Sequence, residues 1–415
     1  MTNTTQEKKS QSALITYENL DKIGEIALYY GFFPKQSPSI TKIDLDHAKS
    51  LIESDTINDE EDGKNRLPLH VEEKTALLRM YEEQNMQNVP QPAMLYFREP
   101  FKGSIKKSLY SRYSDMEIIG ASGSIAEATL IKAAQIILAT EGYTNIKVEI
   151  NSIGDKDSIA RFTRDLVAYY RKHINEMHPD CQQLFKRDPF ELLSSHDEKS
   201  RELNEHAPKA MDFLSEVSRA HFQEVLEYLE ALNIPYEINN NLIGNRKYCT
   251  ETIFSIIDMD HKSKKSKDGH KILAIGVRYD GLAKKIGIRR EIQGVGMSIL
   301  IKGNSADLRK EVKRVKRPFS SFVQLCFESK LLALPIIESL RQVKIPLYLS
   351  LAKDRLGAQV SSIEKFHVPY SIIIGKKEAV EKTAIVRDNV THAQEIVSIE
   401  ELPKYMKRIE NKLKR

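Results

Sequence analysis

Arg278, Tyr279 and Asp280 stand side by side directly after the apolar run 272–277. A run of that length reads as a buried strand, so it delivers a guanidinium, a phenol and a carboxylate to the rim of a sheet, where ligands commonly sit. Such a trio can orient an anion or hold a proton. It can equally pair internally and clamp the sheet edge. Gly281 breaks the strand, and residues 282–286 can form one or two helical turns. Residues 293–299 read as a second strand or the start of a helix. Gly294 and Gly296 there let a backbone or ligand approach closely.

A second chemistry is basic. Lys310, Lys313, Arg314, Lys316 and Arg317 cluster in one stretch, and Arg355, Lys376, Lys377 and Arg387 follow it. From Ser305 to the end there are 22 Lys/Arg against 13 Asp/Glu, about +9, so the rest of a chain of net charge +5 carries about −4. Cations gathered at one end suit phosphate contacts with RNA, or simply a solvated linker face. Cys181, Cys249 and Cys326 are far apart and odd in number. That argues against a disulfide framework or a zinc site and fits a reducing cytoplasm. Cys249 has no histidine near it in sequence and reads as a small buried residue rather than a nucleophile.

The elements that must position these groups follow from periodicity. A chain of 415 residues should form two or three domains. No apolar run reaches the roughly 18 residues a membrane span needs. Residues 1–14 read as a disordered polar tail, neither signal peptide nor anchor. Helices are expected at 19–30, 71–84, 126–141 (strongly amphipathic), 155–173 and 209–232. The last should turn Phe213, Val217, Phe222, Val225, Leu226 and Leu229 inward. Strands are expected at 37–43, 93–97, 116–119, 147–150 and 242–257, the last carrying Arg246, Lys247, Tyr248 and Cys249. Loops or turns should fill 53–68, 101–113, 152–154, 177–208 and 261–270. After a basic linker at 305–317, strands alternate with helices: strands at 322–327, 347–351, 370–374 and 383–387, helices at 330–343, 356–366 and 399–412. That alternation implies a small α/β domain with a mostly parallel sheet.

Several stretches in order resemble the histidyl-tRNA synthetase family. Ile150-Asn151-Ser152-Ile153-Gly154 looks like its Asn-Ser-Leu-Gly turn, Asp188-Pro189-Phe190 like its Asn-Pro-Leu, and Ala207-Pro208 like its Ala-Pro ahead of a long helix. Gly276-Val277-Arg278-Tyr279-Asp280-Gly281-Leu282 resembles Gly-Gly-Arg-Tyr-Asp-Gly-Leu. Val386-Arg387-Asp388, Gln394 and Glu401-Leu402 resemble the end of the anticodon-binding domain. The likeness runs over residues 17–412. It implies a class II synthetase-like α+β core, an antiparallel sheet flanked by helices, over 15–304, with a helical insertion near 169–203. A C-terminal α/β anticodon-binding-type domain at 318–415 would follow, in a homodimer that binds tRNA or another structured RNA.

The resemblance also implies a ligand pocket. Glu73-Lys74-Thr75-Ala76 matches Glu-Gly-Thr-Ala, and Glu117 matches the carboxylate that meets a substrate amine. Arg98, Arg246, Tyr248, Arg278, Tyr279 and Asp280 complete the expected set. Three arginines of the family's pattern fall on other residues, at Ser104, Gly244 and Gly303, and Cys249 replaces a tyrosine. Removing one such charge-stabilising group typically costs about 10²–10³ in rate. The expectation is therefore a non-aminoacylating, RNA-binding or regulatory paralogue with no assigned catalytic residue and no metal. The alternative is an active histidine–tRNA ligase using ATP and Mg, with Lys102, Lys106, Lys107, Arg246 or Lys302 replacing the lost cations.

Overall fold

The computed structural model describes residues 20–51, 70–88, 91–98, 101, 113–195, 197–262, 270–300, 318–324, 326–349, 356–365 and 367–413. The tail at 1–14, most of the loops at 53–68, 101–113 and 261–270, and the linker at 305–317 lie outside the described residues.

Helix Lys22–Tyr29 starts on Asp21, whose carboxylate accepts from Gly24 N at 2.7 Å. Gly31, at φ 91°, turns the chain into strand β1, Phe33–Lys35. The strand expected at 37–43 is absent. Helix Lys42–Leu51 begins inside it, because Asp44, Ala48 and Leu51 recur at helical spacing and are buried. Helix Val71–Glu83 buries Ala76, Leu77 and Met80 as expected, and also Glu73 and Lys74.

Strands β2 (Ala93–Phe97), β3 (Tyr113–Ile119), β4 (Ile146–Gly154), β5 (Tyr236–Ile238), β6 (Thr250–Lys262), β7 (His270–Arg278) and β8 (Gly294–Leu300) join β1 in one sheet. Its order is β1-β2-β3-β8-β7-β6-β4-β5. The middle is antiparallel, and only the marginal pairs β1–β2 and β4–β5 are parallel. The turn expected at 152–154 is instead the end of β4, where a register shift accommodates the backbone.

The sheet has two covered faces. On one, Met116, Ile118, Val295 and Met297 join a core with helices Ile125–Thr140 and Glu216–Ala231. On the other, Leu95, Phe97, Ile119 and Val277 pack with helix Val71–Glu83. Helix Ile125–Thr140 is buried on most sides rather than amphipathic, since it lies between the sheet and two helices. Residues 209–232 are a short 3₁₀ turn, Ala210–Phe213, and then helix Glu216–Ala231, which starts at the Ser215 cap. That start turns Val217 outward, 78 % exposed, and leaves Ser218, Phe222, Val225, Tyr228 and Leu229 inside. Residues 242–249 form turns rather than strand. Asn245 fixes them, its side chain accepting from Lys247 N at 2.9 Å and its carbonyl from Cys249 N at 2.8 Å. The stretch 177–208 holds two helices, Pro179–Arg187 and Glu198–His206.

A second sheet contains β9 (Ser320–Gln324), β10 (Leu347–Leu349), β11 (Tyr370–Ile374), β12 (Thr383–Asp388) and β13 (Gln394–Ser398), in the order β10-β9-β11-β12-β13. It is half parallel, not mostly so: β12 and β13 pair antiparallel. Only Val397 of β13 is buried, which is why no apolar run announced that strand. Helix Phe327–Gln342 packs on both units, and its Ile337 belongs to the same apolar core as Ile23 and Leu130. An antiparallel sheet flanked by helices, followed by an α/β unit, is the architecture that the resemblance implies.

Candidate functional site

Alternation along β3 puts Asp115 and Glu117 on one face of the sheet. Opposite them on β8 stand Ser298 and Gly296. Gly296 has no side chain because the Glu117 carboxylate lies across it, and Gly294 is likewise covered by the Tyr279 ring. The glycines thus make room for the protein's own side chains.

Helix Val71–Glu83 lowers Lys74 onto this carboxylate. The Lys74 ammonium pairs with Glu117 Oε1 and lies 5.6 Å from the centre of the Tyr279 ring. The Tyr279 hydroxyl donates to Glu117 Oε2 at 2.7 Å, and Ser298 Oγ donates to Asp115 Oδ1. All four of Lys74, Asp115, Glu117 and Tyr279 are buried. Burial works against the Lys74 charge, but Glu117 and then Asp115 outweigh it and hold the ammonium above its ordinary value. Asp115 goes the other way. Burial, reinforced by Glu73, pushes its carboxyl up to about 8. Burial and Glu117 keep the Tyr279 phenol far above its usual value, so it stays a donor.

Arg278 is on the opposite face from Asp115 and Glu117, at the end of an interior strand rather than a sheet edge. Its Nε and Nη2 donate to the two oxygens of Glu127, each at 2.7 Å, and its Nη1 donates to Ala121 O at 2.8 Å. Burial would raise the Glu127 carboxyl, yet Arg278 and then His221 hold it down near 2. His221 bonds the same carboxylate at 2.9 Å and is raised by it against the effect of burial. Asp280 is held next to Arg278 at 3.4 Å and accepts from Gly294 N at 2.9 Å.

The remaining expected pocket residues scatter. Glu73 is buried beside Lys74. Thr75 turns its hydroxyl back to Glu72 O at 2.9 Å. Arg98 pairs with Asp21 at 3.1 Å. Arg246 pairs with Asp188 at 3.1 Å and stacks 3.7 Å over the Phe190 ring. Tyr248 is buried in the core shared with helix Val71–Glu83. A side chain at Gly244 would place its Cβ 2.8 Å from Cys249 Sγ and 3.1 Å from Ile253 Cδ1. Ser104, Gly303, Lys102, Lys106, Lys107 and Lys302 lie outside the described residues.

Of the expected RNA-facing cations, Lys310, Lys313, Arg314, Lys316, Arg317 and Arg355 also lie outside the described residues. Lys376 and Lys377 are well exposed, with long contacts to Glu328 at 4.0 Å and Glu381 at 3.9 Å among the described residues. Arg387 is partly buried on β12 and reaches His392 Nδ1 at 2.9 Å. Among the described residues no cluster of His, Cys, Asp and Glu could hold a metal ion, and no helix is long and apolar enough to cross a membrane.

Three groups went unassigned from the sequence. Lys74 carried a signal, since it replaces a glycine of the Glu-Gly-Thr-Ala pattern. Asp115 sits two residues from Glu117 and so shares its face. Glu127 is an acid in a helix otherwise apolar toward the sheet, which calls for a buried partner.

Residues 327–409 match the anticodon binding domain model. The histidine–tRNA ligase of Bacillus subtilis (strain 168) is 29 % identical over 357 residues, covering 84 % of this chain and 83 % of the relative. That of Desulforamulus reducens is 25 % identical over 401 residues, covering 92 % and 93 %. The crystal structure of apo S. aureus histidyl-tRNA synthetase superposes with a TM-score of 0.49 at 21 % identity, over 97 % of this chain and 95 % of that one. Along most of its length the chain is thus similar to histidine–tRNA ligases, and its C-terminal unit matches the anticodon binding domain.

Proposed function

We propose that this protein is a non-aminoacylating member of its family that binds tRNA or another structured RNA through its C-terminal unit. The observation that carries the reading is the fate of the arginines. Arg98, Arg246 and Arg278 each pair with a carboxylate of the chain itself, Asp21, Asp188 and Glu127. Holding a triphosphate needs cations that converge on it, because phosphate charge must be met without reorganisation. Arg278 and Glu117 face opposite sides of the sheet, and Cys249 fills the space beside Gly244. The fit to ATP is therefore poor among the described residues, and no step is assigned to it.

The same reading takes 15–304 and 318–415 as two domains joined by the linker 305–317, in a cytoplasmic homodimer. RNA contact would use the linker cations together with Lys376 and Lys377, which are exposed and loosely paired.

The test has two arms. Histidine-dependent ATP–pyrophosphate exchange by the purified protein should be absent, and robust exchange would return it to the active ligases. Binding to total tRNA should weaken steeply as salt rises, since each phosphate contact adds about 0.9 to the slope of log K against log salt. A flat salt response, or no binding, would remove the RNA role.

A further inference from the structure

We infer that the face of the sheet around Glu117 is an ammonium-binding site, and that the chain fills it with its own Lys74. The site is built rather than incidental. A carboxylate (Glu117) takes one N–H of the cation, and the face of an aromatic ring (Tyr279) lies within the distance at which a cation is attracted to it. The ring is itself fixed to the same carboxylate by its hydroxyl at 2.7 Å. Two glycines, Gly294 and Gly296, clear the floor under the ring and the carboxylate. Asp115 stands on the same face, and its Oδ2 is buried without a hydrogen-bond partner among the described residues.

Lys74 therefore behaves as a tethered ligand. Its head is where a free primary amine would meet Glu117 and Tyr279. A buried ammonium is costly by itself and is tolerated here because the surroundings are acidic. The class of ligand is a small primary ammonium ion on an apolar stem. A guanidinium, with its wide planar fork, fits a single carboxylate under a ring less well. In the native chain the tether wins by effective concentration, so free amines and amino acids are excluded. This deepens the proposed function, since a protein whose amine site is occupied from within has no place to seat a free amino acid.

The test removes the tether and offers the head group back. Lys74→Ala should melt below the native protein. Adding n-propyl- or n-butylammonium chloride should raise its melting temperature by several degrees, while sodium or tetramethylammonium chloride should not. The native protein should show no such selective rise. Lys74→Ala/Glu117→Gln should lose it. If Lys74→Ala does not fold unaided, the readout is the yield of folded protein on refolding with and without n-butylammonium. No selective gain in either measurement, or an equal gain in the native protein, overturns the site. The result is separable from the exchange assay. Exchange by the native protein would refute the loss of catalysis, whereas failed amine rescue refutes only the self-occupied site.

Discussion

At the scale of single residues, the sheet divides its charges by face. Arg278, Glu127 and His221 balance one another on one side, while Lys74 answers Glu73, Asp115 and Glu117 on the other. In the second set burial, and then the charge of Glu73, push the Asp115 carboxyl up to about 8. Its unfolded value lies near the ordinary 3.8. Between those values the folded state binds the extra proton, so its contribution to stability is complete below the unfolded value and is lost as pH rises toward about 8. The slope is at most about 1.4 kcal/mol per pH unit. Asp115→Asn keeps an acceptor for Ser298 and carries no charge. Urea unfolding from pH 5 to pH 9 should therefore show a flatter stability profile for the variant than for the native protein, with the variant gaining at the alkaline end. Parallel profiles would mean that Asp115 is already ionised.

At the scale of elements, the sequence disclosed what periodicity can carry. β2 is read to the residue, and helices Val71–Glu83 and Lys156–Lys172 to within a residue or two, because long apolar stripes and an Asp155 cap mark them. The misreadings share a cause. At 242–249 an asparagine side chain competes for backbone donors, so β-favouring Ile243, Tyr248 and Cys249 sit in turns. At 209–215 a serine cap restarts the helix and rotates Val217 to the surface. The candidate site was half legible. Strand alternation gives Glu117, but that Arg278 leaves by the other face depends on a partner in a distant helix. The 242–249 turn yields a prediction of its own. Gly244→Ala puts a methyl 2.8 Å from Cys249 Sγ, inside contact range. Overpacking of this kind costs about 1–3 kcal/mol. Chemical denaturation should show that loss in the native background and a smaller one in Cys249→Ala, where the nearest atom is gone. Equal losses in both backgrounds would place the strain elsewhere.

At the scale of the molecule, the C-terminal unit is fastened to the larger sheet by a polar seam set in a common core. Tyr29 Oη donates to Ile337 O at 3.0 Å, and Tyr30 Oη donates to Glu338 Oε2 at 2.8 Å. Arg341 holds the same carboxylate at 2.6 Å. Burial and then Glu338 raise the Tyr30 phenol far above its ordinary value, so it remains a donor throughout the physiological range. Isoleucines and leucines of helix Phe327–Gln342 continue the apolar core of the first helix and of Ile125–Thr140 without a break. Two units that share a core lose apolar burial together, so the native protein should unfold in one calorimetric transition. Tyr29→Ala/Tyr30→Ala removes both phenols and the rings that cover the seam, a truncation worth about 3–5 kcal/mol for the fully buried Tyr30 ring and less for the half-buried Tyr29. The expected outcome is two separated transitions, the lower one lost when residues 318–415 are deleted. Should the variant still unfold in one step at a lower temperature, the coupling runs through the apolar core alone, and the tyrosine–glutamate seam merely decorates it.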